Sequence, residues 1–261
     1  MNARLLEDKI ILVSGGSRGL GAGIARAAVD AGAAGIMITG RDRAAGEALA
    51  VELATNGTDV KFHAVDLADP QAAAGSVTET IASYGRIDCV VNSAGLTTRG
   101  TLLDTTVELF DAHIAINLRA PFFLMQAAVQ DMRSRHSPGS IVNIISFSAH
   151  GGQPYLAPYV AAKAGLVGLT RNAAYAHRFD RIRINGLNIG WTETEGEDAT
   201  QRAFHGARDD WVSAAAAKLP MGKLDQVSEI AEFVVFLLSD RSGVVTGSVI
   251  DWDQQVLGGH D

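Results

Sequence analysis

Ile10-Ile11-Leu12-Val13-Ser14-Gly15-Gly16-Ser17-Arg18-Gly19-Leu20-Gly21 is the stretch on which the fold turns. An unbroken apolar run enters a glycine-rich turn, and a segment with helical spacing follows at once. Uninterrupted apolar runs suit strands covered on both faces. Glycines directly after such a strand permit a tight turn and let backbone approach a pyrophosphate. The helix N-terminus behind them adds free N–H groups and the positive end of its dipole. The spacing is G-x-x-x-G-x-G. Its position between a first strand and a first helix is what points to a nucleotide.

The same alternation continues outward. Apolar runs at Ile36–Thr39, Val60–Val65, Ile87–Asn92, Ser140–Ser146, Ile182–Leu187 and Ser248–Asp251 read as further strands. Helical spacing predicts helices near 20–31, 43–55, 70–84, 106–134, 157–178 and 226–239. Strands alternating with helices imply an α/β fold: one doubly wound, Rossmann-type domain over residues 1–261 with a parallel, seven-stranded sheet. Ligands then bind outside the strand C-termini, so the residues just after each strand matter most. Glu193 to Lys218 breaks the alternation and is expected to form a substrate lid (193–218).

The second strand ends at Thr39-Gly40-Arg41, about 20 residues beyond the glycine turn, where an acidic residue would bind the ribose 2′-OH of NAD. Gly40 leaves room instead, and Arg41 and Arg18 can bracket a phosphate with charge-assisted contacts. NADP(H) is therefore the expected cofactor, with NAD(H) as the alternative; Asp42, beside Arg41, argues the other way.

Composition narrows the class. The chain has 261 residues, 47% of them hydrophobic, enough for a sizeable core. Its apolar stretches are short, and Met1 to Lys9 lacks the apolar block of a secretory signal, so a cytoplasmic protein with no membrane partner is expected. A formal net charge of −7 argues against nucleic acid. Cys89 is the single cysteine, so an internal disulfide and a thiolate metal cluster are excluded; no metal is expected, and Cys89 reads as a buried structural thiol.

Tyr159 and Lys163 stand four apart in a predicted helix, hence on one face, and Ser146 closes the fifth strand. A free tyrosine, with a pKa of about 10, is a poor base at neutral pH. A positive charge about 5 Å away at an effective dielectric near 20 supplies roughly 3 kcal/mol. That corresponds to a pKa lower by about 2.4.

With these residues together, the chain resembles the short-chain dehydrogenases/reductases over nearly its whole length. Ser14 to Gly21 is similar to the family's T-G-x-x-x-G-x-G. Asp66-Leu67 resembles the pair that touches adenine, and Asn92-Ser93-Ala94-Gly95 resembles N-N-A-G. Asn117 matches the Asn that completes a tetrad with Ser146, Tyr159 and Lys163, and Ile189 to Thr194 resembles P-G-x-x-x-T. The resemblance implies interconversion of a secondary alcohol and a ketone. Tyr159 would exchange the hydroxyl proton, Lys163 would lower its pKa and bind the nicotinamide ribose, Ser146 would hold the substrate oxygen, and Asn117 would hold a water leading to Lys163. Gly15, Ser17, Arg18, Gly19, Leu20, Gly21, Arg41, Asp66, Leu67, Asn92, Ala94, Gly95, Gly190, Thr192 and Thr194 would join Tyr159 and Lys163 in holding the cofactor. Ile189 in place of the family's Pro suggests a less rigid entry to the lid. Asp251-Trp252-Asp253-Gln254 replaces a common D-G-G and suggests a reshaped pocket or subunit contact.

Ser148, Gln153, Tyr155 and Trp191 are the candidate substrate residues, with His150 nearby. Glu193, Glu195, Glu197 and Asp198 would make the lid entrance acidic and disfavour an anion. A small, uncharged, polar substrate is expected: a sugar, polyol or hydroxyketone. A 3-oxoacyl thioester or acyl-carrier-protein reductase is the alternative, for which Arg133 and Arg135 offer a basic face. From other classes, a non-catalytic nucleotide sensor predicts a broken tetrad, and a methyltransferase predicts no Ser/Tyr/Lys set. A small-residue face at Ala161, Gly165 and Gly168, together with the family's habit, leads to the expectation of a homotetramer.

Overall fold

The structure is a computed structural model and describes residues 4–54 and 57–257. Seven parallel strands form one sheet: β1 (Ile10–Ser14), β2 (Gly35–Gly40), β3 (Asp59–Ala64), β4 (Cys89–Asn92), β5 (Gly139–Ile144), β6 (Ile182–Ile189) and β7 (Val249–Trp252). Their order is β3-β2-β1-β4-β5-β6-β7, so the winding reverses at β1. Every strand therefore ends at the same edge, and the gap between β1 and β4 is the switch point at which such sheets bind ligands.

Helices cover both faces. α1 (Gly19–Asp30), α2 (Arg43–Ala54) and α9 (Val227–Leu238) enclose one core, with Ile11, Val13, Ile36, Ile38, Val91 and Val142 beneath them. α3 (Pro70–Tyr84), α5 (Ala120–Ser134) and α6 (Ala157–His177) enclose the other, over Leu12, Met37, Val90, Ile141 and Ile184. Neighbouring positions of one strand thus feed opposite cores, which is why these strands read as unbroken apolar runs. Each such side chain contributes about 1.5–3 kcal/mol when fully buried. Cys89 is buried against the first core, and burial pushes its thiol up to about 12, so the structural reading holds.

Several boundaries differ from the sequence reading. The predicted helix 43–55 ends at Ala54, with residue 55 outside the described residues. The predicted helix 106–134 is interrupted: α4 (Val107–Ile114) passes through a π-helical turn, Ala115–Arg119, before α5 begins. Pro121 accounts for this, since it has no N–H to give the carbonyl four residues back and its ring crowds that carbonyl. The residue four back is Asn117. The segment 193–218 does lack a strand, as expected, but it is helical: α8 (Trp211–Ala216) packs in a small core of Trp211, Ala215, Leu224 and Trp191, and α7 (Glu195–His205) is tied to it through Glu197 and Asp198, which accept from the Trp191 and Trp211 indoles. β6 runs on to Ile189, which pairs with Trp252, and the Gly190 amide donates to Trp252 O at 2.9 Å and Asp225 Oδ2 at 2.9 Å. The chain entering 193–218 is therefore anchored despite the missing proline. Trp252 turns inward, stacking on Phe233 with centroids 4.9 Å apart.

Candidate active site

The glycine turn is built from the backbone outward. Gly15 has φ +66°, and a Cβ there would stand 2.7 Å from Ala94 Cα. A Cβ on Gly21 would stand 2.2 Å from Gly15 O, so the start of α1 lies flush against the turn. Ser14 Oγ accepts from the Ser93 and Ala94 amides at 3.2 and 3.4 Å, locking the ends of β1 and β4 together. The result is a side-chain-free cradle facing the free amides of α1. It fits a dinucleotide phosphate, because only bare backbone approaches an anion this closely.

Beside the cradle, Arg18 and Arg41 are exposed, and among the described residues neither has an ion pair or side-chain hydrogen bond. Gly40 packs on Ser17, whose Oγ would lie 2.7 Å from a Cβ. Asp42 is taken: its carboxylate accepts from the Ala45 amide at 3.0 Å and caps α2. Asp66 is exposed at the same edge and accepts from the Ala68 amide. The Leu67 side chain is buried in the second core, so only its main chain is offered at this edge. Asn92 departs from its expected role. Its amide points into the sheet, donating to Asn143 Oδ1 at 2.7 Å, and Asn143 in turn donates to Thr170 Oγ1 at 2.9 Å. That chain braces β4, β5 and α6 beneath the cradle.

Next to the cradle opens a cleft of about 570 Å³. Leu20, Gly95, Gly190, Thr192 and Thr194 line it, as do Ser146, Tyr159 and Lys163, and all four expected substrate residues. Thr194 also caps α7, accepting from the Glu197 amide at 3.0 Å. Ser148 turns its hydroxyl on Ser146 and Gln153 its amide on Ser148: the Ser146 hydroxyl donates to Ser148 Oγ at 3.1 Å, and Ser148 donates to Gln153 Oε1 at 2.5 Å. They orient Ser146 from behind. His150 faces away, bonded to Asp251 at 2.9 Å. Tyr155 and Trp191 remain as walls, Trp191 stacked on Trp211 at 5.7 Å.

Tyr159 and Lys163 are both buried, with Lys163 Nζ 5.6 Å from the phenol ring centroid. Nζ donates to Ile144 O at 2.8 Å, which fixes the ammonium at the end of β5. The expectation that Lys163 pulls the phenol toward neutrality does not hold in the protein by itself. Burial pushes Tyr159 up to about 12, against a hydrogen bond from Ser146; Glu197 raises it further and Arg99 lowers it. Burial also drives Lys163 down to about 8, so the charge that should act on the phenol is itself disfavoured. Asn117 sits in the π-helical turn and is fully buried. Its Oδ1 accepts from Leu96 N at 3.0 Å, and its Nδ2 donates to Leu96 O at 3.0 Å and lies 3.2 Å from His113 Nδ1. The side chain thus clamps the loop after β4, while Pro121 denies its main-chain carbonyl an α-helical donor.

Two residues of the site, His113 and Arg99, went unread in the sequence, and Glu197 was read only as part of an acidic entrance. His113 is buried between Asn117 and Thr98, edge-on to Tyr159 at 6.1 Å, and burial lowers its pKa. Arg99 and Glu197 both line the cleft. The acidic entrance also fails to form as a set. Glu197 accepts from Trp191 Nε1 at 2.8 Å and Gln201 at 2.7 Å, Asp198 is taken by Arg202 and Trp211, and Glu193 accepts from Gln226. The basic face is likewise neutralised, Arg133 by Asp180 and Arg135 by Asp131 and Asp88.

This architecture and cleft define a nicotinamide-type oxidoreductase site, and comparison with known proteins agrees. A family model described as enoyl-(acyl carrier protein) reductase matches residues 15–254. The 3-oxoacyl-[acyl-carrier-protein] reductase FabG of Chlamydia muridarum is 33% identical over 250 residues, covering 95% of this chain and 97% of that protein. An L-rhamnose 1-dehydrogenase (NAD(P)(+)) from a Sphingomonas species is 30% identical over 249 residues, covering 95% of each. A solved structure of a short chain dehydrogenase/reductase family protein superposes with a TM-score of 0.82 at 34% identity, covering 96% of this chain and 97% of that one. The chain belongs to the short-chain dehydrogenase/reductase family and is an NAD(P)-dependent oxidoreductase.

Proposed function

We propose that the protein interconverts a secondary alcohol and a ketone on a small polar substrate, using NADP(H) in preference to NAD(H). The observation that carries this is the convergence of Ser146, Tyr159 and Lys163 on the floor of one cleft beside the glycine cradle. Gly15, Ser17, Gly19 and Gly21 would hold the pyrophosphate, and Arg18 and Arg41, without an ion pair among the described residues, a 2′-phosphate. Gly190, Thr192 and Thr194 would hold the nicotinamide end. When bound, the cofactor supplies or accepts the hydride.

The chain's own residues handle the proton and the developing charge. Ser146, held in place by Ser148 and Gln153, would turn its one hydroxyl proton from Ser148 to the substrate oxygen when substrate binds. Tyr159 passes the proton between its phenolic oxygen and that oxygen. Its raised pKa keeps the phenol protonated at neutral pH, the state required for ketone reduction. Lys163, held by Ile144 O, positions a positive charge under the phenol, and Asn117 keeps the adjoining loop and π-turn in register.

An acyl-thioester reductase is the second reading, favoured by the likeness to FabG. The ion-paired state of Arg133 and Arg135 weighs against an acidic carrier protein docking there. A panel of polyols, hydroxyketones and acetoacetyl thioesters, assayed with both nicotinamides by the absorbance of the reduced form, separates the two. Tyr159→Phe should lose about 10²–10⁴-fold in turnover while still binding NADPH. Near-normal kcat in that variant removes Tyr159 from the mechanism.

A further inference from the structure

Arg99 comes from the loop after β4, yet it is fastened from several sides within the cleft. Its Nε and one terminal nitrogen donate to His205 Nε2 of α7 at 3.2 and 3.0 Å. The other terminal nitrogen donates to Thr97 O at 2.7 Å. The guanidinium lies 5.4 Å from the ring centroid of Tyr155 and 5.8 Å from that of Phe204. A guanidinium carries five N–H donors in a fixed plane. Three of them have partners among the described residues, which leaves one on each terminal nitrogen. No carboxylate pairs with Arg99 among the described residues.

The charges around it favour an incoming anion. Arg99 and Lys163 are the cations lining the cleft, and Glu197 and Asp253 are its acids. Glu197 is already engaged by Trp191 and Gln201. Asp253 sits behind Gly190, accepting from the Gln255 amide, and burial raises its pKa. Arg99 is also near enough to Tyr159 for its charge to favour the ionised phenol. A planar cation in a partly apolar wall, already paid for in side-chain entropy, is suited to bidentate recognition of a carboxylate.

We propose that the substrate is a hydroxy- or oxocarboxylate, its carboxylate received by Arg99 while the carbinol carbon lies at Ser146 and Tyr159. This rests on the alcohol–ketone reading above and narrows its substrate class. It also replaces the uncharged substrate expected from the acidic residues of 193–198, most of which serve contacts of their own.

The test uses the full-length enzyme with NADPH. The probes are 3-oxobutanoate, 4-oxopentanoate and 5-oxohexanoate, each beside its methyl ester, which removes the charge and adds one methyl. The wild type should prefer at least one acid over its ester. Arg99→Gln should lower the acid-to-ester ratio of kcat/KM at least tenfold, mainly through KM for the acid, and Arg99→Lys should restore part of it. Equal loss on acid and ester would reduce Arg99 to a fastener of α7 and overturn the proposal. So would a wild type that reduces neutral hydroxyketones but none of the acids, while leaving the parent reading intact. If no alcohol or ketone of any kind reacts, the parent reading fails. Anion binding is then judged by calorimetric titration of pentanoate into the NADP⁺-mixed protein. Binding that Arg99→Gln weakens tenfold supports the site, and no binding, or equal binding, removes it.

Discussion

Tyr159 and Lys163 are shifted in opposite directions by the same burial, and the signs fix how activity should follow pH. The ammonium is fully present below about 8 and is lost as pH rises through that value. The phenol keeps its proton up to about 12, so it contributes no limb in the working range. The ratio kcat/KM for NADPH reports the free enzyme. It should fall as pH rises through about 8, and Lys163→Arg should carry that limb well upward; a flat profile to pH 10 contradicts the role given to Lys163. At the ribose end, Arg41→Asp should reverse or collapse the NADPH preference, measured as the ratio of kcat/KM for NADPH and NADH. If the wild type already prefers NADH, the arginine argument fails, although Asp42 is committed to capping α2. Tyr159 and Lys163 were legible because four residues of helix put two side chains on one face. Arg99 was not legible, because its partner His205 lies 106 residues further along the chain.

Elements were legible where one period dominates. Apolar runs buried on both faces announce strands, and Ala-rich segments between them announce helices. The π-turn was hidden because Pro121 sits in a run whose apolar spacing looks helical on both sides. α7 was hidden because its exposed, charged sequence has no apolar face of ordinary width, and its order comes from caps and from Trp191 and Trp211. Contacts between elements were also hidden. α1 and α9 meet at Gly23, where a Cβ would stand 2.2 Å from Val227 Cγ1. Gly23→Ala should therefore cost about 1–3 kcal/mol by overpacking. Val227→Ala in the same chain should recover most of it, and thermal melts of the two single variants and the double variant measure this. Simple additivity of the two losses would show that the helices do not meet there.

The sheet lies between two cores, with a third, small one around Trp211, and the surface retains apolar groups that a monomer has little use for. Phe110 of α4 and Phe122 of α5 are both about two-fifths exposed, at 42% and 41%. On α6 the expected small-residue face is only partly free: a Cβ on Gly165 would press on Leu118 at 3.0 Å, while Gly168 has open space. Packing within the chain thus takes part of the face, and Ala161 and Gly168 remain exposed. We expect a homotetramer built on α4, α5 and α6, with light scattering at micromolar concentration returning four times the chain mass of 27.4 kDa. A single-chain mass would refute it. No helix among the described residues is long and apolar enough to cross a membrane.

The placing of the indoles has a further, optical consequence. Trp191 lines the cleft and lies against Trp211, and Trp252 ends β7, paired with Ile189 and accepting from the Gly190 amide. These are all three tryptophans of the protein. Reduced nicotinamide absorbs where indole emits, so NADPH settling beside Gly190 should drain their emission and brighten its own. Occupancy of the cleft would then be readable as light from the native chain, without label or turnover.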